Sequence, residues 1–291
     1  MKEFEGKTAV VTGAASGIGY GLAKRFAQEK MNVVLADIEQ DALDAAVSKI
    51  SDLGVEAVGI AVDVMDKNSV QSLAEESIHA FGNIHILCNN AGVSGPVSDE
   101  VIWNLDQNDW DWVLGVNFYG VLYGLQSFVP HMVEHKEEGH VLNTVSLAGI
   151  LGLEGSYGVS KFATLALSEG LFQSLKKINS KIGASALCPG FVATNIINSQ
   201  RNQPKHLSSK KKQNFLLKQL ASAVLKRGKK PDEIAARVIE GIQADSFYIL
   251  PHPIYDERIK ERYERILART EPESIDIKAT WLGTLLRKEE Y

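Results

Sequence analysis

Cysteine is scarce in this chain. Two cysteines in 291 residues cannot build a disulfide framework, and Cys88 and Cys188 lie in apolar runs. Reduced, buried thiols on neighbouring core strands, in a reducing compartment, are therefore expected. No apolar stretch reaches the roughly 18 residues needed to span a bilayer, and Met1 to Gly6 is short and polar, so no membrane segment or signal peptide is expected and the location read is cytoplasmic. Internal repeats, low-complexity tracts and interdomain linkers are missing as well. A formal net charge of -5 gives no general case for nucleic-acid binding.

Carboxylates are missing from one long stretch. Gly170 to Pro231 contains no Asp or Glu but thirteen Lys and Arg, among them Arg201, Lys205, Lys210, Lys211, Lys212, Lys218 and Lys226. Within it, Leu216, Leu220 and Val224 recur at helical spacing with Lys218 turned away, which predicts an amphipathic helix. Such a stretch is basic outside and apolar beneath. Most such lysines are solvated, but they could also meet an anionic group on a ligand.

Near the N-terminus, Lys7 to Val11 is a short run of β-formers, and a helical pattern runs through Leu22, Phe26 and Met31. Between them stands Thr12-Gly13-Ala14-Ala15-Ser16-Gly17-Ile18-Gly19. Glycines permit a tight turn and close approach to a pyrophosphate, which the free N–H groups of the helix start attract. Asp37 closes the next apolar run, where a carboxylate can accept hydrogen bonds from an adenosine ribose and repel a ribose phosphate. With Ile38 after it and no Lys or Arg nearby in sequence, Asp37 favours NAD over NADP. A carboxylate capping the helix from Glu39 to Ser51 is the plainer alternative.

Tyr157 and Lys161 stand one helical turn apart, so a phenol and an ammonium share a face. A nearby cation stabilises a phenolate and would bring proton transfer towards neutral pH. Two other patterns carry little. Gly6-Lys7-Thr8 lacks the upstream glycine of a phosphate loop, and His131, His135 and His140 have no carboxylate or thiol partner at metal-site spacing, so solvated histidines and no metal are expected.

Taken in order, these motifs resemble the short-chain dehydrogenase/reductase family over about residues 5 to 250. Asp63-Val64, Asn89-Asn90-Ala91-Gly92, Asn117, Asn143-Thr144-Val145-Ser146 and Pro189-Gly190-Phe191-Val192-Ala193-Thr194 complete the match. The resemblance implies that Asp63 touches the adenine, Asn90 braces the cofactor pocket and Asn117 holds a water in a proton relay. It further implies that Ser146 bonds the substrate oxygen, Tyr157 moves the proton, Lys161 holds the nicotinamide ribose and lowers the tyrosine pKa, and Thr194 binds the carboxamide. The family serine usually lies thirteen residues before the tyrosine, where this chain has Thr144; the Ser-Leu-Ala-Gly context selects Ser146, with Thr144 on the same strand face as the alternative. Leu151, Leu153 and Phe191 suggest an apolar substrate wall.

The expected fold is α/β: a Rossmann-type doubly wound parallel seven-stranded sheet with helices on both faces. Strands are expected near 7–12, 32–37, 55–62, 84–89, 140–146, 183–188 and 247–250, and the resemblance implies the order 3-2-1-4-5-6-7. Residues 1–270 would form one catalytic domain with a substrate lid at about 195–230, followed by a C-terminal extension, 271–291. In that extension the apolar pairs Trp281-Leu282 and Leu285-Leu286 could dock on a neighbouring subunit or pack on the chain's own sheet. The family's usual interface helices, about Asp109 to His135 and Tyr157 to Ile178, point to a homodimer or homotetramer, with Gly120 and Gly124 suggesting close approach between subunits. The expected activity is NAD(H)-dependent interconversion of a secondary alcohol and a ketone. A non-catalytic NAD-sensing protein and an NAD-dependent lyase or epimerase are the alternatives.

Overall fold

Val10, Val11, Val33, Val34 and Leu35 are all fully buried, although neighbouring residues of a strand point to opposite faces. Both faces of these strands must therefore be covered, as in a parallel sheet sandwiched between helices. The computed structural model describes residues 1–98, 100–209, 214–273, 281–283 and 285. Its sheet has seven strands, β1 (Thr8–Thr12), β2 (Asn32–Asp37), β3 (Ala57–Ala61), β4 (Ile86–Asn89), β5 (Gly139–Thr144), β6 (Ile182–Leu187) and β7 (Tyr248–Ile249). All pairings are parallel, in the order β3-β2-β1-β4-β5-β6-β7.

Two apolar layers flank the sheet. On one face Val11, Val33 and Leu35 pack with Leu22 and Phe26 of α1 (Gly17–Gln28), Leu43 of α2 (Gln40–Ser51) and Ile234 and Val238 of α9 (Pro231–Gln243). On the other, Val10, Val34 and Leu87 meet Leu73 of α3 (Lys67–Phe81), Trp112 of α4 (Gln107–Leu114), Phe128 of α5 (Gly120–Glu134) and Leu175 of α7 (Gly155–Lys177). Each such side chain contributes about 1.5–3 kcal/mol on burial. Because the chain winds outward in both directions from β1 and β4, the carboxyl ends of these two strands flank a crevice where ligands of open α/β sheets bind.

Several sequence expectations need correction. β5 stops at Thr144; Ser146 lies beyond it and accepts a hydrogen bond from Ala148 N (3.1 Å), so it caps the short helix α6 (Leu147–Leu151) and does not extend the strand. Cys88 and Cys188 are buried and free as expected, but β5 lies between their strands. Gly120 and Gly124 face inward: a Cβ on Gly124 would lie 2.1 Å from Asn89 Oδ1, and one on Gly120 would lie 3.0 Å from Val64. Each glycine thus meets a close neighbour within its own protomer, Asn89 at the end of β4 and Val64 in the segment after β3. His140 is fully buried and His131 and His135 half-buried, so none is a freely solvated surface group. Among the described residues no group of His, Cys, Asp or Glu could hold a metal, and no helix is long and apolar enough to cross a membrane.

The amphipathic helix is real but rotated. In α8 (Phe215–Lys226) the buried stripe is Leu217, Ala221 and Val224, and Leu216 is 75% exposed. The helix is apolar on both sides of Leu216, so periodicity alone did not fix which leucine faces in. Lys210, Lys211 and Lys212 lie outside the described residues, as does most of the extension after Glu273.

Candidate active site

The turn between β1 and α1 is built from glycines that no other residue could replace. Gly13 and Gly17 have φ of +66° and +57°; a Cβ on Gly13 would press on the backbone of Ala91 at 2.9 Å, and one on Gly19 would lie 2.1 Å from Gly13 O. Thr12 Oγ1 accepts hydrogen bonds from Asn90 N (2.9 Å) and Ala91 N (3.0 Å), while Asn90 Nδ2 donates to Thr12 O (2.9 Å). The ends of β1 and β4 are thereby locked together. Ser16 is the N-cap of α1 but makes no side-chain cap bond, and the first turn holds no acidic residue. The positive end of the helix dipole is left for an anion.

At the end of β2, Asp37 Oδ2 accepts from Ala15 N (2.9 Å) and Oδ1 from Glu39 N (3.1 Å). The carboxylate thus supports the local backbone and lines the cavity, but it is not the cap of α2, whose N-cap is Glu39. Asp63 is similar: Oδ1 accepts from Met65 N (2.9 Å) and the residue faces the cavity beside Val64.

Further along the crevice, α7 carries Tyr157 and Lys161. Lys161 is 3% exposed and its Nζ donates to Thr144 O (2.8 Å), 5.8 Å from the centre of the Tyr157 ring. Gly92 leaves the space, since a Cβ there would lie 3.4 Å from Nζ. Burial draws the Lys161 pKa down to about 8, because the charged form loses its water. Burial also pushes the Tyr157 phenol up from its ordinary value, and a hydrogen bond with Ser146 works the other way. Lys161 is not among the causes of that rise; its Nζ is engaged by Thr144 O.

Ser146 and Thr144 have separate duties. Ser146 Oγ lines the cavity with Tyr157, donating to Pro189 O (3.5 Å) and accepting from Ala148 N, while Thr144 Oγ1 donates to Asn90 Oδ1 (3.2 Å). Asn117 sits in a π-helical turn, Gly115–Tyr119, a distortion common at functional sites. Its side chain is engaged: Oδ1 accepts from Val93 N (2.8 Å), and Nδ2 donates to Val93 O and to Ser160 Oγ (both 3.0 Å). Both amide hydrogens are committed, while Oδ1 keeps a second lone pair.

A cavity of about 790 Å³ joins these parts. Gly13, Ser16, Gly17, Ile18, Asp37, Asp63, Asn90, Tyr157 and Lys161 line it, with Pro189, Gly190, Val192 and Thr194 on the far side and Leu151, Leu153 and Phe191 at the substrate end. Of the residues singled out in the sequence, Gly19 and Asn117 do not line it; both shape it from behind. The glycine cradle, the uncapped α1 and the Asp37 carboxylate fit a dinucleotide.

The family model for short chain dehydrogenases matches residues 7–205. This chain belongs to the short-chain dehydrogenase family. A short-chain dehydrogenase/reductase of Burkholderia phymatum, solved in complex with NAD, superposes with a TM-score of 0.90 at 36% identity, covering 94% of this chain and 99% of that one. The CLA biosynthesis dehydrogenase/reductase of Lactiplantibacillus plantarum is 33% identical over 94% of this chain and 97% of its own length. A C alpha-dehydrogenase from a Sphingobium species is 33% identical over 95% of this chain and 90% of its own. As a short-chain dehydrogenase, the protein is an oxidoreductase on a Rossmann-like fold.

This short-chain dehydrogenase also has site residues that sequence reasoning missed. Among the described residues, the cavity's basic side chains are Lys161, Arg201 and Arg258, and no described lysine between 195 and 230 lines it. Arg201 pairs with Glu39 (2.6 Å) and Arg258 with Glu273 (3.1 Å). His252 accepts from Gly190 N at Nδ1 (3.1 Å) and lies 3.0 Å from Phe191 O through Nε2, pinning the loop after β6. Trp281 lines the cavity from the C-terminal extension. These residues come from segments far apart in sequence, and only the fold brings them together.

Proposed function

We propose that the protein is an NAD(H)-dependent oxidoreductase that interconverts a secondary alcohol and a ketone, with Tyr157 as general acid and base. One observation carries the reading: the Tyr157 phenol, the Ser146 hydroxyl and the buried Lys161 ammonium line one crevice that also holds the glycine turn and Asp37. Gly13, Gly17 and the start of α1 would hold the pyrophosphate, Asp37 the adenosine ribose, Asp63 and Val64 the adenine region, and Lys161 and Thr194 the nicotinamide end. Bound NAD supplies the hydride acceptor.

In oxidation, Tyr157 Oη takes the hydroxyl proton as the carbon gives up hydride; in reduction it returns a proton to the carbonyl oxygen. The Ser146 hydroxyl donates to that oxygen and stabilises its developing charge. Lys161 has one N–H on Thr144 O and two others for the ribose and the neighbourhood of the phenol. Asn117 keeps the Val93 backbone and Ser160 in register behind this group.

Leu151, Leu153 and Phe191 support a substrate with an apolar body. Exposed Tyr119, Val159 and Phe162 on the helices of the family's usual interface support a homo-oligomer, which light scattering would test. A panel of secondary alcohols and ketones, read by NADH absorbance and repeated with the phosphorylated cofactor, tests the activity. Turnover with NADH is expected; absence of turnover with either cofactor across the panel would end the proposal. A burst of NADH that never exceeds one equivalent would instead indicate a lyase or epimerase.

A further inference from the structure

Beyond the catalytic group, the cavity continues into a chamber walled by Val97, Ile197, Leu217 and Ala221, a buried apolar cluster separate from the two main cores. Trp281 packs against this cluster and faces the cavity. Two contacts hold the extension near the site: Arg258 Nη2 pairs with Glu273 Oε1 (3.1 Å), and Arg227, just after α8, donates from Nη1 to Leu285 O. Trp281 thus packs on the substrate side of its own chain.

An indole wall has a chemical meaning. It offers a broad flat apolar face, and aromatic faces gain from offset or edge contacts with other rings beyond the area they bury. A small aliphatic ketone would leave the chamber largely wet. A substrate with an aryl or fused-ring body next to the carbonyl would fill more of the cavity that Tyr157 and Trp281 both line and displace that water. We infer that Trp281 is a specificity-determining residue, contributed by the C-terminal extension, that selects alcohols and ketones carrying a bulky aryl or polycyclic group. The inference rests on the proposed alcohol and ketone chemistry and deepens it.

The test compares 2-acetonaphthone with butan-2-one in native protein, Trp281→Ala and Trp281→Phe. In the native protein kcat/KM should favour the naphthyl ketone. That preference should fall at least about tenfold in Trp281→Ala, mainly through KM, and be largely kept in Trp281→Phe, which retains an aromatic face. An unchanged preference in Trp281→Ala, or equal loss in both variants, would overturn the inference. Binding without turnover separates it from the proposed reaction: calorimetry of each ketone with the NAD-loaded protein should show the same loss of naphthyl-ketone affinity in Trp281→Ala. If no hydride transfer occurs but this loss is seen, the reaction fails and the Trp281 wall stands. If the native protein does not bind 2-acetonaphthone, or the variant binds it equally well, the wall fails.

Discussion

Arg201 Nη2 lies 2.6 Å from Glu39 Oε1, so the turn after β6 is tied to the start of α2 across the mouth of the cofactor crevice. Asn202 Nδ2 bonds the same oxygen at 2.5 Å. The sequence favours NAD because no Lys or Arg follows Asp37, yet the fold brings Arg201 to within two residues of it. Glu39 occupies that charge. Glu39→Gln should release it towards the adenosine ribose, so the preference for NADH over NADPH should narrow by up to about fivefold, the scale of an exposed ion pair. Dissociation constants for both cofactors, measured by fluorescence, check this; an unchanged ratio would show that Arg201 does not reach the ribose.

Tyr157→Phe removes the proton donor and should cost at least about 100-fold in kcat/KM with cofactor affinity kept. The pH profile carries a second signature. Because burial raises the phenol's pKa, the free enzyme holds little phenolate at neutral pH. Alcohol oxidation, which needs the phenolate, should therefore climb steadily on the alkaline side, while ketone reduction, which uses the phenol, should stay flat over the same range. A profile for oxidation that is level through neutrality would mean that a different group takes the proton.

How far the sequence reaches can be seen by comparing Gly13 with Trp281. The Gly13 turn, Asp37, Tyr157 and Lys161 were legible because each works through local spacing: a positive φ, a strand end, one helical turn. The apolar runs of β1, β2 and β4 were legible for the same reason, whereas the strand order came from the family resemblance. Trp281, Arg201 and His252 were not, because their meaning lies in what they touch from a distant segment. Gly120 and Gly124 show the converse failure. A helical glycine signals close approach, but only packing reveals that the neighbour is Asn89 or Val64 of the same protomer.

The choice between Ser146 and Thr144 is open to direct test. Ser146 presents its hydroxyl to the cavity beside Tyr157, whereas Thr144 spends its hydroxyl on Asn90 and its carbonyl on Lys161. Ser146→Ala should lower kcat by about 100-fold or more, the usual loss when one donor to a developing oxyanion is removed. Thr144→Val keeps the carbonyl, so it should act chiefly on cofactor affinity, through Asn90. Steady-state kinetics on the two variants decide the matter: a larger fall in kcat for Thr144→Val would reverse the assignment.

Gly124→Ala sets helix propensity against packing. Alanine would gain about 1 kcal/mol in α5, but its Cβ would strike Asn89 Oδ1, whose amide donates to Asn143 Oδ1 (2.9 Å) in a buried chain that continues to Ser168. Overpacking of this kind costs about 1–3 kcal/mol before the broken hydrogen bond is counted. Net destabilisation in urea is expected, with the oligomeric state unchanged. Dissociation without loss of protomer stability would instead place Gly124 at a subunit interface.

His140 should shape the acid limb of stability. Ser185 Oγ donates to Ser246 O (2.6 Å), so it must accept from His140 Nε2 (2.7 Å), which fixes the proton on Nε2 and leaves Nδ1 buried without a partner among the described residues. A second proton would have to enter at Nδ1, in the space kept by Gly183, and burial draws the pKa from 6.5 down to about 3. Over that interval the unfolded chain binds the proton and the folded one does not. Stability is therefore full above the unfolded pKa and is lost as pH falls through the window, by about 3–5 kcal/mol at its lower end. His140→Gln keeps a donor for Ser185 and cannot titrate, so urea unfolding of the variant between about pH 4 and 7 should show a slope shallower by about one proton. Buried His85 and His252 and half-buried His131 are also held below their usual pKa by burial and would keep part of the slope in both proteins. Equal slopes in native protein and variant would mean that His140 is charged in the folded state, and the Ser185 bond would then have to be assigned the other way round.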